Sequence, residues 1–438
     1  MTSDILNDVM RRAQKAGADH VDILAQKSNQ ISVSTRLAKL ENVVQSEEIS
    51  VKMRVSVGKR SAVAIANSWE ELKKESFIEK SVFAAKNAPE ETTPFRPAPD
   101  ELCKKIQLMD LCDSRTVSPE ELINLAQECE SIALQIKGIT NSEGSEASRS
   151  HLKTILMKDD DFFAEYEKTL HQFSLVVLAQ KDGFLERDYD FSEAIHWSDL
   201  KNSQNVAEKA AARTLRRLGA RKIPSCKVPV VLDPRVSSQL LNSFAAAVNG
   251  GSISNGASFL KDKLSQKIFN DGITISDKGI VPRGLRSRPF DGDGLECANR
   301  TLVQNGVLQS FLLNTKYANR LQMKSTGNAS GFEGIAPHNL CIENGSESFQ
   351  DLIKSVRNGL YVVEVLGNGL NLVTGNYSQG AVGFWIENGE ITYPVNEITI
   401  AGNFIDMFSR CRVGNDLEMT SGIDAPSLLL EEMVIGGV

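Results

Sequence analysis

Histidine is scarce. There are five in 438 residues (His20, His151, His171, His196 and His338), and none stands within five positions of another. No helix can present two of them together, so a catalytic zinc site, which needs about three protein ligands, has no local seed. The seven cysteines, at positions 103, 112, 129, 226, 297, 341 and 411, are odd in number, scattered and free of any C-x-x-C pair. That pattern offers neither a disulfide framework nor a zinc ribbon, and the thiols read as reduced and mostly buried. No apolar run approaches the ~20 residues that cross a bilayer. Residues 2–17 alternate polar and apolar at helical spacing without the apolar stretch of a secretion signal. The expected location is the cytoplasm, with no membrane partner. Positive charge is not in excess either, since 49 Lys and Arg face 56 Asp and Glu for a net charge of −7. This argues against sequence-independent nucleic-acid binding, which depends on neutralising phosphates. The one basic run, Arg213 to Lys222, reads as a solvated helix end.

Familiar catalytic motifs are missing as well. There is no G-x-S-x-G elbow and no Walker sequence. Gly367-Asn-Gly369 starts a G-x-G-x-x-G, but Leu372 stands at the third glycine. Asp291-Gly-Asp293-Gly294 lacks the later ligands of a calcium loop and reads as a turn. Ser258-Phe-Leu-Lys261 satisfies S-x-x-K without its companion motifs, and His338 is a lone candidate base. A metal site assembled from distant residues, such as His338, Cys341 and Asp416, is a minor alternative.

What is present is a chain long enough for two or three domains, with 41% hydrophobic and 24% charged residues. Residues 1–90 read as a small α+β unit. A first helix carries Ile5, Leu6, Val9, Met10 and Ala13 on one face and closes at Gly17. Short strands follow at 21–25, 31–35, 40–45, 49–57 and 61–66, then a helix from about Trp69 to Asn87. A proline-rich linker occupies 91–117. Residues 118–222 read as a second α+β unit, opened by the cap Ser118-Pro-Glu-Glu121. Its strands are expected at 139–145, 151–158, 174–180 and 184–191, with a hairpin at Lys181-Asp-Gly183 and a helix from Gln204 to Leu218. All seven Asn-Gly pairs lie after residue 240. Because Asn-Gly favours tight hairpins, residues 228–438 read as a large, mostly antiparallel β domain. The fold class is therefore α+β: two small N-terminal units followed by a large β domain.

Val228-Pro-Val-Val-Leu-Asp-Pro234 reads as a buried strand and turn, and Leu240 to Gly250 as a helix. With Lys324-Ser-Thr-Gly-Asn-Ala329, Val373 to Glu390, Tyr393 to Asn403 and Val413-Gly-Asn-Asp416, this stretch resembles the TldD/PmbA metallopeptidase family, also called modulators of DNA gyrase. The resemblance covers nearly the whole chain. The catalytic TldD branch carries H-E-x-x-x-H on this helix and a cysteine ligand near the C-terminus. The matching positions here are Asn242, Ser243, Ala247 and Ala425, none of them a serviceable ligand or base. The i, i+5 spacing turns ~140° and would need a π-type distortion to bring both ligands to one metal.

The resemblance thus points to the PmbA/TldE branch. It implies a heterodimer with a TldD-like subunit that carries zinc and cleaves small unfolded peptides. No catalytic residue and no cofactor is expected on this chain itself, and a homodimer is expected when it is alone. Within the glycine-rich block 367–389, strand addition by an extended peptide is a possible role, with Asn328, Tyr377, Gly383 and Trp385 as candidates for a substrate-channel or partner surface. Two alternatives stand beside this reading. One is a non-enzymatic regulator of a toxin–antitoxin or gyrase component; the other is a self-sufficient hydrolase using a site such as Ser258, Lys261 and His338.

Overall fold

The computed structural model describes residues 2–438. Its N-terminal half is built on strands much longer than the sequence suggests. The first helix, α1 (Thr2–Lys15), leads into β1 (His20–Arg36) and β2 (Lys39–Val57), each of which joins two expected strands into one. Neither contains a glycine or proline, so the polar stretch Gln26–Gln30 continues as strand and does not turn. β3 (Arg60–Ala66) follows, and the expected helix from Trp69 breaks into α2 (Trp69–Leu72) and α3 (Glu75–Asn87). Beyond the linker come α4 (Pro119–Gln135), β4 (Ile139–Lys158), β5 (Phe162–Lys181), β6 (Phe184–Ala194) and α5 (Ser203–Arg216). β4 likewise fuses two expected strands; Gly144, at φ +125°, bends it at a register shift without ending it.

The two N-terminal units share one antiparallel sheet, ordered β3-β2-β1-β4-β5-β6. The seam is β1 against β4, from Asp22↔Lys158 to Thr35↔Ser145. Each unit keeps its own core. Leu6, Val9 and Met10 of α1 and Ile78 and Val82 of α3 pack on Val21, Ile23 and Met53. Leu122, Ala126 and Cys129 of α4 and Val206 and Ala210 of α5 pack on Phe173, Leu175 and Val177. At α4 the expected cap forms in full: the Ser118 hydroxyl accepts from the Glu121 N–H, and the Glu121 carboxylate accepts from the Ser118 N–H.

The C-terminal domain begins with β7 (Cys226–Leu232), α6 (Pro234–Ala247) and α7 (Gly250–Ser254). Next are β8 (Ile275–Lys278), β9 (Asn299–Gln304), β10 (Val307–Leu308), α8 (Thr315–Arg320), β11 (Ala329–Ser330), β12 (Gly334–Ile335) and β13 (Asn339–Ile342). The chain ends with α9 (Phe349–Lys354), β14 (Asn358–Leu366), β15 (Asn376–Glu387), β16 (Glu390–Asn403), α10 (Phe404–Ser409), β17 (Cys411–Val413), β18 (Ile423–Asp424) and β19 (Leu428–Gly436). One sheet runs β16-β15-β14-β7-β19-β17, and a further β16–β19 pairing closes five of its strands into a ring. Closure leaves those strands few open edges. A second sheet runs β10-β9-β8-β13-β18. Pairing is antiparallel except at β7–β14 and β13–β18. The core joins Val230, Leu232, Leu240, Phe244, Leu360, Ile400 and Leu428.

Of the seven Asn-Gly pairs, two make the expected hairpin turns: Asn305-Gly306 (φ 47°, 75°) and Asn388-Gly389 (φ 50°, 80°). Asn249 instead caps α7 through its side chain, and Asn358-Gly359 opens β14.

A buried charge cluster joins the N-terminal sheet to the C-terminal domain. Asp22 accepts from Arg54 (2.9 and 2.6 Å) and from Arg96 of the linker (3.1 and 2.8 Å), and lies 3.5 Å from the Lys158 ammonium. Arg54 reaches Asp293 at 3.3 Å, and Lys158 donates to the Asp293 carbonyl at 3.2 Å.

Candidate functional site

Asp233 caps α6 with its side chain, and Pro234 starts the helix with φ already fixed. The exposed face of this helix, with Arg235, Ser238, Gln239, Asn242, Ser243 and Ala246, forms one wall of a cavity of about 990 Å³. The other walls come from several places, including the start of α9 (Ser348–Gln350) and Tyr361 of β14. Tyr189, Asp190 and Phe191 belong to the edge strand β6, and Lys209 and Arg213 to α5. The loop Gly367–Leu372 precedes β15, and the segment 415–427 carries Asp416, Asp424 and Ala425. The cavity therefore lies between the N-terminal sheet and the C-terminal domain.

Of the four positions of the family's metal motif, Asn242, Ser243 and Ala425 line the cavity and Ala247 does not. Asn242 is exposed on the cavity wall. The Ser243 hydroxyl donates back to the Gln239 carbonyl at 3.1 Å, as serines in helices often do. Ala247 is fully buried in the core, where Ser258 donates to its carbonyl at 2.6 Å. Ala425 is buried, and its N–H donates to the Ser238 hydroxyl at 3.0 Å. α6 stays regular up to Ala247, so positions 242 and 247 point well apart. Side chains of Asn, Ser, Ala and Ala so arranged do not fit a zinc ion.

The cavity carries charge of both signs, largely paired. Arg213 bonds Asp190 at 2.7 Å; the second Asp190 oxygen is buried without a hydrogen-bond partner. Arg235 bonds Asp188 at 2.8 Å and Asp233 at 3.3 Å. Burial pulls the Arg235 pKa down, but the Asp188 bond and the two carboxylate charges outweigh it, and the net shift is upward. The Tyr361 hydroxyl donates to Asp233 at 2.7 Å. Burial first, and then the Asp233 charge, push that phenol above its usual range, so it stays a neutral donor. Among the cations, Lys209 makes no hydrogen bond or ion pair with the described residues. Phe191, Phe349, Leu370 and Leu372 add apolar surface. Such a lining suits an extended, mixed polar and apolar chain, and the volume lies at the upper end for ligand pockets.

The structure redistributes the other candidate residues. Asn328 is fully buried, donating to Asp277 at 2.8 Å beside His338. Tyr377 is buried, its hydroxyl against Gln379. Gly383 sits where a Cβ would overlap the Tyr361 carbonyl, and Trp385 packs on the core. None of these four lines the cavity. β15 is paired on both sides, by β14 and β16, and so offers no edge for an added strand. The part of the 367–389 block that reaches the cavity is the loop Gly367–Leu372 together with Gln379.

His338, Cys341 and Asp416 also stay apart: His338 bonds Asp277 at 2.9 Å, Cys341 lies against Glu343, and Asp416 accepts from Ser427. Ser258 is spent on the Ala247 carbonyl, while Lys261 is exposed beside Asp262. Asp233, Arg235 and Tyr361 were not legible as site residues. The signal available was Asp233-Pro234, which marks a helix start opening directly onto the cavity.

An edge strand, a closed five-stranded ring and a helix presenting its exposed face to a shared cavity define an α+β protein of the modulator-of-DNA-gyrase fold. Residues 225–437 match the C-terminal domain, and residues 112–218 the central domain, of the PmbA/TldA metallopeptidases. The chain belongs to the PmbA/TldD family. It is 36% identical over 427 residues to Metalloprotease PmbA of Escherichia coli, covering 96% of this chain and 93% of that one. It is 32% identical over 429 residues to a Haemophilus influenzae PmbA homologue, covering 97% and 94%. A Bacteroides thetaiotaomicron structure bearing the modulator-of-DNA-gyrase name superposes with a TM-score of 0.91 at 26% identity, covering 100% and 99%. TldE from Thermococcus kodakarensis shares the fold, with a TM-score of 0.87 at 22% identity, covering 99% and 100%.

Proposed function

We propose that this chain is the PmbA/TldE-type subunit of a two-subunit cytoplasmic metallopeptidase, in which a TldD-like partner holds the zinc and cleaves small unfolded peptides. The observation that carries this reading is the cavity wall. At the family's metal positions it presents Asn242, Ser243 and Ala425, and it turns Ala247 into the core. The mixed charge and apolar lining supports a role in holding an extended peptide while the partner supplies the chemistry.

The outer edge of the β1–β2 hairpin supports an assembly. β3 covers β2 only from Val51 to Val57, which leaves residues 39–50 as an open edge. Leu37, Leu40, Val43 and Val44 are exposed there. Open, apolar strand edges need cover. A TldD-like protein is the expected cover, with a second copy of this chain taking its place when the chain is alone. Among the described residues no helix is long and apolar enough to cross a membrane.

The test is cleavage of casein-derived peptides. The chain alone should be inactive, and activity should appear with a TldD-like protein and vanish with a chelator. Chelator-resistant cleavage by the chain alone would overturn the reading. Failure to associate with any TldD-like protein would favour a non-enzymatic regulator.

A further inference from the structure

The geometry points to a divalent transition-metal site, of the zinc type, formed by Cys112 of the linker, His151 of β4 and Glu167 of β5. We propose that this site binds one such ion, with the fourth coordination position open to solvent. It does not rest on the reading of the cavity, since none of the three residues lines it.

The ligand atoms of these three side chains lie within 4.8 Å of one another, and among the described residues this is the one such grouping of three or more His, Cys, Asp or Glu. Around a tetrahedral zinc, with its bond lengths of ~2.0–2.3 Å, the same atoms would stand about 3.4–3.6 Å apart. Reaching that spacing takes a contraction of at most about 1.4 Å. His151 Nε2 sits 3.0 Å from a Glu167 oxygen, a hydrogen-bonded pair that an ion inserted between them would spread by about 0.5 Å. Cys112 and His151 are half-buried and Glu167 is exposed, so the site has both walls and an entry.

The backbone prepares the third ligand. Cys112 is flanked by two bonds to one residue of β5: the Thr169 N–H donates to the Leu111 carbonyl at 3.0 Å, and the Asp113 N–H donates to the Thr169 hydroxyl at 2.8 Å. These hold the linker along the part of β5 that β6 does not cover, because β5–β6 pairing begins at His171. Across β4 and β5, His151 stands opposite Thr169 and Lys153 opposite Glu167, which makes His151 and Glu167 diagonal neighbours.

Charge also fits. A thiolate, a carboxylate and a neutral imidazole balance a 2+ ion. Lys153 bridges Glu165 at 3.2 Å and Glu167 at 3.4 Å, so it can release Glu167 and keep Glu165. A bound ion would pin the linker to the sheet.

The test uses the full-length, reduced chain, stripped with a chelator and titrated with Co²⁺ as a spectroscopic probe. The expected result is thiolate-to-cobalt charge-transfer absorption saturating at one equivalent and displaced by Zn²⁺. Cys112→Ser should abolish the band. His151→Gln and Glu167→Gln should weaken binding by about tenfold or more, since even groups that only orient a ligand are worth 10–100-fold. Cys341→Ser, at a buried thiol elsewhere, should leave the band unchanged, and circular dichroism should show every variant folded. Absence of the band, its survival in Cys112→Ser, or weak binding of several equivalents would each overturn the proposal. The assay needs neither a partner nor a peptide, so its failure is separable from failure of the subunit reading.

Discussion

Replacing Asp22 with Asn asks whether charge balance holds the N-terminal sheet on the C-terminal domain. Asp22 is 1% exposed and receives Arg54, Arg96 and Lys158. Burial alone would raise its pKa, but Arg54, Lys158 and Arg96 outweigh burial and hold it well below the usual carboxylate range. A carboxyl with a depressed folded pKa stabilises the fold above its unfolded pKa and loses that effect as pH falls through the folded value. At neutral pH the whole contribution is present.

The Asp22→Asn variant keeps the shape but leaves two guanidiniums and an ammonium short of an anion. Removing one partner of a buried ion pair costs about 3–5 kcal/mol. At roughly 2–4 °C per kcal/mol for a body of this size, the melting transition of the N-terminal sheet should fall by about 6–20 °C. Lys158→Met should behave differently. It removes the third cation, one whose charge burial already disfavours, losing a 3.5 Å pair with Asp22 that Arg54 and Arg96 still satisfy and one hydrogen bond to the Asp293 carbonyl. Its cost should be about 1–2 kcal/mol. Thermal melts by circular dichroism, together with trypsin cleavage in the linker at Lys104 or Lys105, measure both variants. A Lys158→Met variant as damaged as Asp22→Asn would refute charge balance as the cause.

Three other outcomes are expected. Rebuilding the family motif with Asn242→His, Ser243→Glu and Ala247→His should not create a zinc site. The third substitution pushes an imidazole into a packed core, costing about 1–3 kcal/mol or more, as elemental analysis and urea unfolding will show. Gly383→Ala should lower stability by about 1–3 kcal/mol by overlapping the Tyr361 carbonyl, with no separate effect on peptide binding in a titration. Asp291, fully buried, is pushed up to about 7 by burial and by the Asp293 charge. A raised carboxyl pKa stabilises the fold fully below its unfolded value, and that effect fades as pH rises through the folded one. Amide protection near residues 291–295, corrected for the intrinsic base catalysis of exchange, should therefore fall from about pH 4 to about pH 7, and a protection factor that does not change with pH would contradict it.

Local chemistry was legible where a few residues settle it. Ser118-Pro-Glu-Glu121 fixes a helix start by its own hydrogen bonds, and Asp182-Gly183 and Asn388-Gly389 supply the left-handed angles that hairpins need. The β1–β2 turn was not legible. It puts Leu37 (φ 51°) and Ala38 (φ 57°) in the left-handed region, which their side chains disfavour. The buried Glu130 of α4 holds it from 92–93 residues away, accepting from both N–H groups at 2.8 and 2.9 Å. The shared sheet was hidden for the same reason, since β1 meets β4 across more than a hundred residues and no local pattern encodes that pairing. Resemblance located α6 as the helix to watch. That Ala247 faces the core while Asn242 faces the cavity follows from the unbroken helix and its packing.

The most direct measurement is a reconstitution. The purified chain is mixed with a TldD-like protein, and complex mass by light scattering and peptide cleavage are read on the same sample. The account predicts a stable complex whose cleavage a chelator abolishes, with no cleavage by this chain alone. Cleavage by this chain alone in the presence of chelator, or two proteins that remain separate at micromolar concentration, would contradict it.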